Sequence, residues 1–128
     1  MSQKEVLSVG ELTVRSIKAP VELVKDVTQI TSRATGVTAN GVRGSITTDV
    51  SSLAAGAEAT FTVTNNRVTA DSIPVIALKT PSATGLSQAF VSKVIDGSFD
   101  ITLTNLHATT ADTSASVIGY FIVNGKSN

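Results

Sequence analysis

Apolar and polar residues alternate in short runs along most of this chain. Ala59, Phe61 and Val63 are interleaved with Thr60, Thr62 and Thr64 until Asn65-Asn66 ends the run. A period of two is the mark of a strand with one buried face. Phe99, Ile101 and Leu103 alternate with Asp100, Thr102 and Thr104 in the same way. The run Phe90 to Ile95 leads into Asp96-Gly97, and the two flanking runs predict a hairpin. Its turn is expected to be type I′, which needs φ > 0 at both central positions. Val75-Ile76-Ala77-Leu78 is apolar on both faces and predicts a central strand, with Pro74 at its start, where no ladder donor is needed. The run from Ala115 to Val123 puts Val117, Gly119, Phe121 and Val123 on one face and Ile118, Tyr120 and Ile122 on the other. It predicts a strand covered on both sides, with Val117, Gly119 and Phe121 in the core. Ala39-Asn40-Gly41-Val42 reads as a tight turn pairing Gly36–Thr38 with Arg43–Thr48, and Leu106 to Thr113 as a small-polar loop.

Short strands between regularly spaced turn signals predict a sandwich or barrel. The expected fold is all-β, a compact β-sandwich or Greek-key-like barrel of about seven or eight strands, with an extended N-terminal arm. The expected core is Val37, Ile46, Phe61, Val63, Val75, Ala77, Val91, Phe99, Ile101, Leu103, Val117, Gly119 and Phe121.

Residues 1–26 differ from the rest, and the chain divides into this arm and a β-sandwich domain over 27–128. Lys4, Glu5, Glu11, Arg15, Lys18, Glu22, Lys25 and Asp26 place charges of both signs among apolar residues. Glu11-Leu12-Thr13-Val14-Arg15 alternates strictly, and Pro20 interrupts the pattern. An extended segment of this kind can add a strand to a partner's open sheet edge. Val9, Leu12, Val14, Arg15, Ile17 and Lys18 are therefore the expected partner-binding residues, contacting either a second copy or a larger assembly. An ordinary first strand of the domain is the competing reading.

Composition agrees with the pattern. Thr (18), Val (16) and Ile (9) fill a third of the 128 residues, and β-branched side chains favour a pleated surface. Ten basic and ten acidic residues cancel, so no nucleic acid or anionic membrane surface is expected as a partner. No apolar run approaches the ~20 residues of a membrane-spanning helix. The first 25 residues lack the basic and apolar regions of a signal peptide, which predicts a protein made in the cytoplasm.

Candidate chemistry is sparse. His107 is the single histidine and there is no cysteine, so no zinc-ligand spacing exists. His107 with Asp112 or Asp100 could serve a serine nucleophile, but the chain has no Gly-x-Ser-x-Gly elbow. Asp96, Asp100 and Asp112 lack the spacing of a calcium loop. Gly41 to Gly44 lies in no strand-to-helix context and does not read as a phosphate loop. No catalytic, cofactor or metal residue is expected, and the chain does not read as an enzyme.

Several segments, taken in order, resemble a small β domain of tailed-bacteriophage structural proteins. They are Thr28-Gln-Ile-Thr-Ser32, Thr35-Gly-Val-Thr38, Gly44-Ser-Ile-Thr-Thr48, Ala57 to Asn65, Ile73-Pro-Val-Ile-Ala77, Asp96 to Asn105, and Ser116 to Val123. The resemblance, of the capsid decoration (cement) protein type, implies a virion structural protein on the capsid surface. The implied partners are the major capsid protein or other virion proteins, and copies of itself as a homotrimer, with a dimer as alternative. It transfers no catalytic residue. A tail, neck or fibre module and a receptor- or carbohydrate-binding β module are the alternatives. Sugar platforms need exposed aromatics, and the single Tyr lies in a strand expected to be buried.

Overall fold

The computed structural model describes residues 23–84 and 86–126. Eight strands cover them: β1 (Val27–Thr28), β2 (Val37–Thr38), β3 (Arg43–Thr47), β4 (Glu58–Thr64), β5 (Ile73–Thr80), β6 (Ser87–Ile95), β7 (Ser98–Asn105) and β8 (Val117–Val123). They form two four-stranded sheets, β1-β3-β8-β5 (sheet A) and β2-β4-β7-β6 (sheet B). Short β1 and β2 run parallel to β3 and β4, and the other pairs are antiparallel. The fold is the all-β sandwich that the alternation predicts, and the described residues include no α-helix.

The core lies between the sheets because each contributes one apolar face. Sheet B supplies Phe61, Val63, Phe99, Ile101 and Leu103; sheet A supplies Ile46, Ile118, Tyr120 and Ile122, all buried. The Phe99 and Tyr120 rings meet across the sandwich with centroids 6.5 Å apart and planes tilted by 52°, within the favourable range for aromatic pairs. Ile46, Phe61, Val63, Phe99, Ile101 and Leu103 are thus core residues as expected, and Val37 and Val91 pack at its margin. Across β4 and β7 the outer face of sheet B is a polar ladder, with exposed Phe90 and Ile95 of β6 beside it. The Thr60 and Thr102 hydroxyls share a hydrogen bond of 2.8 Å, and Thr62 Oγ1 donates to Asp100 Oδ1 at 2.8 Å.

Three expectations are corrected. First, β8 is turned over: Ile118, Tyr120 and Ile122 face the core, whereas Val75 and Phe121 are about half exposed at 48% and 51%. Val75 pairs with Phe121 and Ala77 with Gly119, so Val75, Ala77, Gly119 and Phe121 share the outer face with Val117. Both faces of β8 are apolar, so alternation does not orient it. The inner set fills more volume than one containing a glycine, and the Tyr120 hydroxyl reaches the Lys25 carbonyl at 2.8 Å. Nor are β5 and β8 covered on both sides, since Ile73, Val75, Phe121 and Val123 are exposed.

Second, Asn40-Gly41 is a corner and not a hairpin turn, because β2 lies in sheet B and β3 in sheet A. Long-range bonds hold the corner. Asn65 Nδ2 donates to the Gly41 carbonyl at 2.7 Å, Asn66 N–H donates to Asn40 Oδ1 at 2.9 Å, and Ala39 is buried. Third, the β6–β7 hairpin forms at Asp96-Gly97, but only Gly97 has a positive φ, at 91°. The turn is therefore not type I′. Gly97 N–H donates to the Val68 carbonyl, and its own carbonyl accepts from Asn65 N–H, both at 2.9 Å. This tether to the β4–β5 connection sets the turn geometry.

Candidate interaction surface

The residues with chemical potential are held in structural roles. His107 Nδ1 accepts from the backbone N–H groups of Thr109 and Thr110, at 3.1 and 3.0 Å. It caps its own loop and does not engage Asp112 or Asp100. Asp112 is fully buried and its Oδ1 lies 3.4 Å from Nη2 of Arg33, itself 3% exposed. Arg33 also donates from Nε to the Ser51 carbonyl and from Nη2 to the Asp112 and Ser114 carbonyls, at 3.2 and 3.0 Å. The Ser87 hydroxyl donates to Asp112 Oδ2. Burial by itself would raise the Asp112 pKa, but hydrogen bonds from Ser82, Ser87 and the Ser114 N–H, with the Arg33 charge, hold it below its ordinary 3.8. This knot ties together the chain around Ser51, Ser87 and Asp112 at one end of the sandwich. Among the described residues no group of three His, Asp or Glu side chains could hold a metal ion.

Sheet A carries a different feature on its outer face: a groove of about 530 Å³ running over β8 between β3 and β5. Gly119 forms part of its floor, with the Lys79 side chain lying close above it. Val75, Ala77 and Phe121 form the apolar part, and Val24, Asp26, Arg43 and Lys79 line the sides. Exposed Ile73 and Val123, paired with each other, extend the apolar strip to the end of the sheet. Asp26 Oδ1 accepts from Ser45 N–H and Oγ at 2.9 and 3.1 Å. Among the described residues the single ion pair is Arg33–Asp112, so Arg43 and Lys79 stand at the groove without a carboxylate partner. Buried Tyr120 lies beneath, its pKa pushed up to about 12 by burial and by the nearby Asp26 charge.

The approach to β1 builds one wall. Lys25 N–H donates to the Arg43 carbonyl at 3.0 Å, Val24 bridges to Arg43, and Val42 N–H donates to the Leu23 carbonyl at 2.8 Å. Gly44 permits this close approach, because a Cβ there would overlap the Lys25 carbonyl. Leu23–Asp26, placed in the arm by the charge pattern, therefore run along β3. The expected partner-binding residues Val9, Leu12, Val14, Arg15, Ile17 and Lys18 lie outside the described residues. The groove residues Arg43, Val75, Lys79 and Phe121 did not emerge as a site from the sequence. The available signal was two strands with more apolar residues than a single buried face requires.

Comparison with family models, with curated proteins and with solved structures finds no match to the chain.

Proposed function

We propose that the chain is a virion structural protein of a tailed bacteriophage that decorates the capsid and stabilises it by binding, without catalysis. The observation that carries the reading is the outer face of sheet A, where Ile73, Val75, Phe121 and Val123 are exposed beside Arg43 and Lys79, which have no carboxylate partner among the described residues. A contiguous apolar patch with a charged rim marks a surface that meets another protein. A shell repeats its contact site many times, so modest individual contacts suffice when neighbouring copies are linked. The resemblance of Thr28 to Val123 to phage structural β domains supplies the class of assembly. The partners on this reading are the major capsid protein or other virion proteins, and further copies of the chain as a trimer, or alternatively a dimer.

Stoichiometry tests the reading. Virions purified from the source of the chain are resolved on a stained gel against the major shell band. Hundreds of copies per particle are expected. A few to a few dozen would move the protein to the tail, neck or fibres, and absence from purified particles would overturn a virion role altogether.

A further inference from the structure

The groove on sheet A has an apolar floor and charges of both signs along its sides, Asp26 and Arg43 on one and Lys79 on the other, and the described chain starts beside it. Leu23 and Val24 run parallel to β3, with Val24 level with the Arg43–Phe121–Val75 row. Followed backwards from Leu23, the chain leaves sheet A at the end where Ile73 and Val123 pair. The 22 residues before Leu23 can span at most about 70 Å, far more than the ~14 Å across four strands.

The direction in which the chain leaves the sheet bears on which sandwich they fit, and between Glu11 and Glu22 the turn-forming residues are Ser16 and Pro20, with no Gly, Asn or Asp. Pro20 also biases the residue before it towards an extended conformation. To lie on its own groove, the segment would have to double back beside its own root. To lie on a neighbour's, it need only continue.

Within the segment, Glu11-Leu12-Thr13-Val14-Arg15 carries the matching pattern. As a strand it spans about 13 Å and turns Leu12 and Val14 to one side, towards the Val75–Phe121 strip. Glu11 and Arg15 lie at its two ends on the opposite face with Thr13, and their long side chains reach round the edges towards the Asp26, Arg43 and Lys79 charges along the sides of the groove. We propose that this groove binds the Glu11–Arg15 stretch of a second copy of the chain, so that each copy's N-terminal segment ties it to the next. The inference rests on the self-association included in the proposed function, and it names the surface and the segment that bring it about.

The chain has no cysteine, so disulfide trapping in the full-length protein is unambiguous. Full-length Leu12→Cys and Phe121→Cys chains are mixed and oxidised, with Thr62→Cys on the outer face of sheet B as control. A band at twice the chain mass joining the first two variants, and none with the control, is expected. Phe121→Glu, at an exposed position, should weaken self-association by at least about tenfold in light scattering or sedimentation. Three outcomes overturn the proposal. A full-length chain that stays monomeric at tens of micromolar removes both it and the self-association reading. An oligomer that gives no cross-link and tolerates Phe121→Glu removes this proposal alone. So does a disulfide formed within single chains of the Leu12→Cys, Phe121→Cys double variant.

Discussion

Asp112 is a buried side chain whose ionisation is tied to the folded state. It is fully buried against Arg33 and the Ser82 and Ser87 hydroxyls, and its carboxyl is held below the ordinary 3.8 because its hydrogen bonds and the guanidinium outweigh desolvation. A lowered native pKa means that the native state binds this proton less readily than the unfolded chain does. The associated stability is present above about pH 4 and is lost as the pH falls through the lowered value. Urea midpoints measured from pH 5 to pH 2 should fall accordingly. Arg33→Met alone should cost about 3–5 kcal/mol at pH 7, because it strands a buried carboxylate, whereas Arg33→Met with Asp112→Leu should recover most of that loss and flatten the acid slope.

Tyr120 gives the mirror case at high pH. Its hydroxyl is buried and bonded to Lys25, and its pKa is raised to about 12 from 10.0. Stability linked to this phenol is complete below pH 10 and lost as the pH rises towards 12, a contribution on the order of 2–3 kcal/mol. Unfolding followed between pH 9 and pH 12 should show that loss, and Tyr120→Phe should remove its pH dependence.

At the scale of the element, strands with one polar face were legible and strands with two apolar faces were not. β4 follows its alternation residue by residue, because Thr on one side leaves a single face to bury, and β7 departs from it at Thr102, which is buried with its hydroxyl bonded to Thr60 and Ser92. Phe99→Ala should therefore cost about 3–5 kcal/mol in denaturant unfolding, the loss expected for emptying a buried phenyl site. For β5 and β8 the pattern predicts strands but not their orientation, and the groove arose from the side that alternation had assigned to the core. The Asp96-Gly97 hairpin was legible in position, while its turn type depends on bonds to Asn65 and Val68 that lie far off in sequence. Gly97→Val tests the element directly. Nothing lies within 4 Å of a Cβ at Gly97, so the expected cost of about 1–3 kcal/mol is backbone strain at φ 91° and not a clash. Gly97→Asn should cost distinctly less, since Asn tolerates that region.

At the scale of the whole molecule, composition and turn spacing predict an all-β sandwich, but they carry no information about which strand enters which sheet. Asn40-Gly41 is the plainest example: the local signal for a reversal is real, yet the chain uses it to cross between layers. The same holds for Arg33 and Asp112, ordinary polar residues in their local context, which meet only because the chain around Ser51, Ser87 and Asp112 converges at one end.

That crossing habit governs how the molecule must form. Successive strands change sheet at every connection except β6 to β7, the one local hairpin. Ile46 finds its partner Ile118 near the far end of the chain, and Val75 must wait for Phe121. Long loops have to close before such pairings gain anything, so refolding belongs in the millisecond-to-second range of non-local β proteins. Stopped-flow refolding should fall there. In pulse-labelled hydrogen exchange the β6–β7 amides should gain protection no later than those of β3 and β8. Until β8 arrives, β3 and β5 have no sheet between them, and their unsatisfied edges are the stage at which a crowded population of nascent chains is most exposed to aggregation.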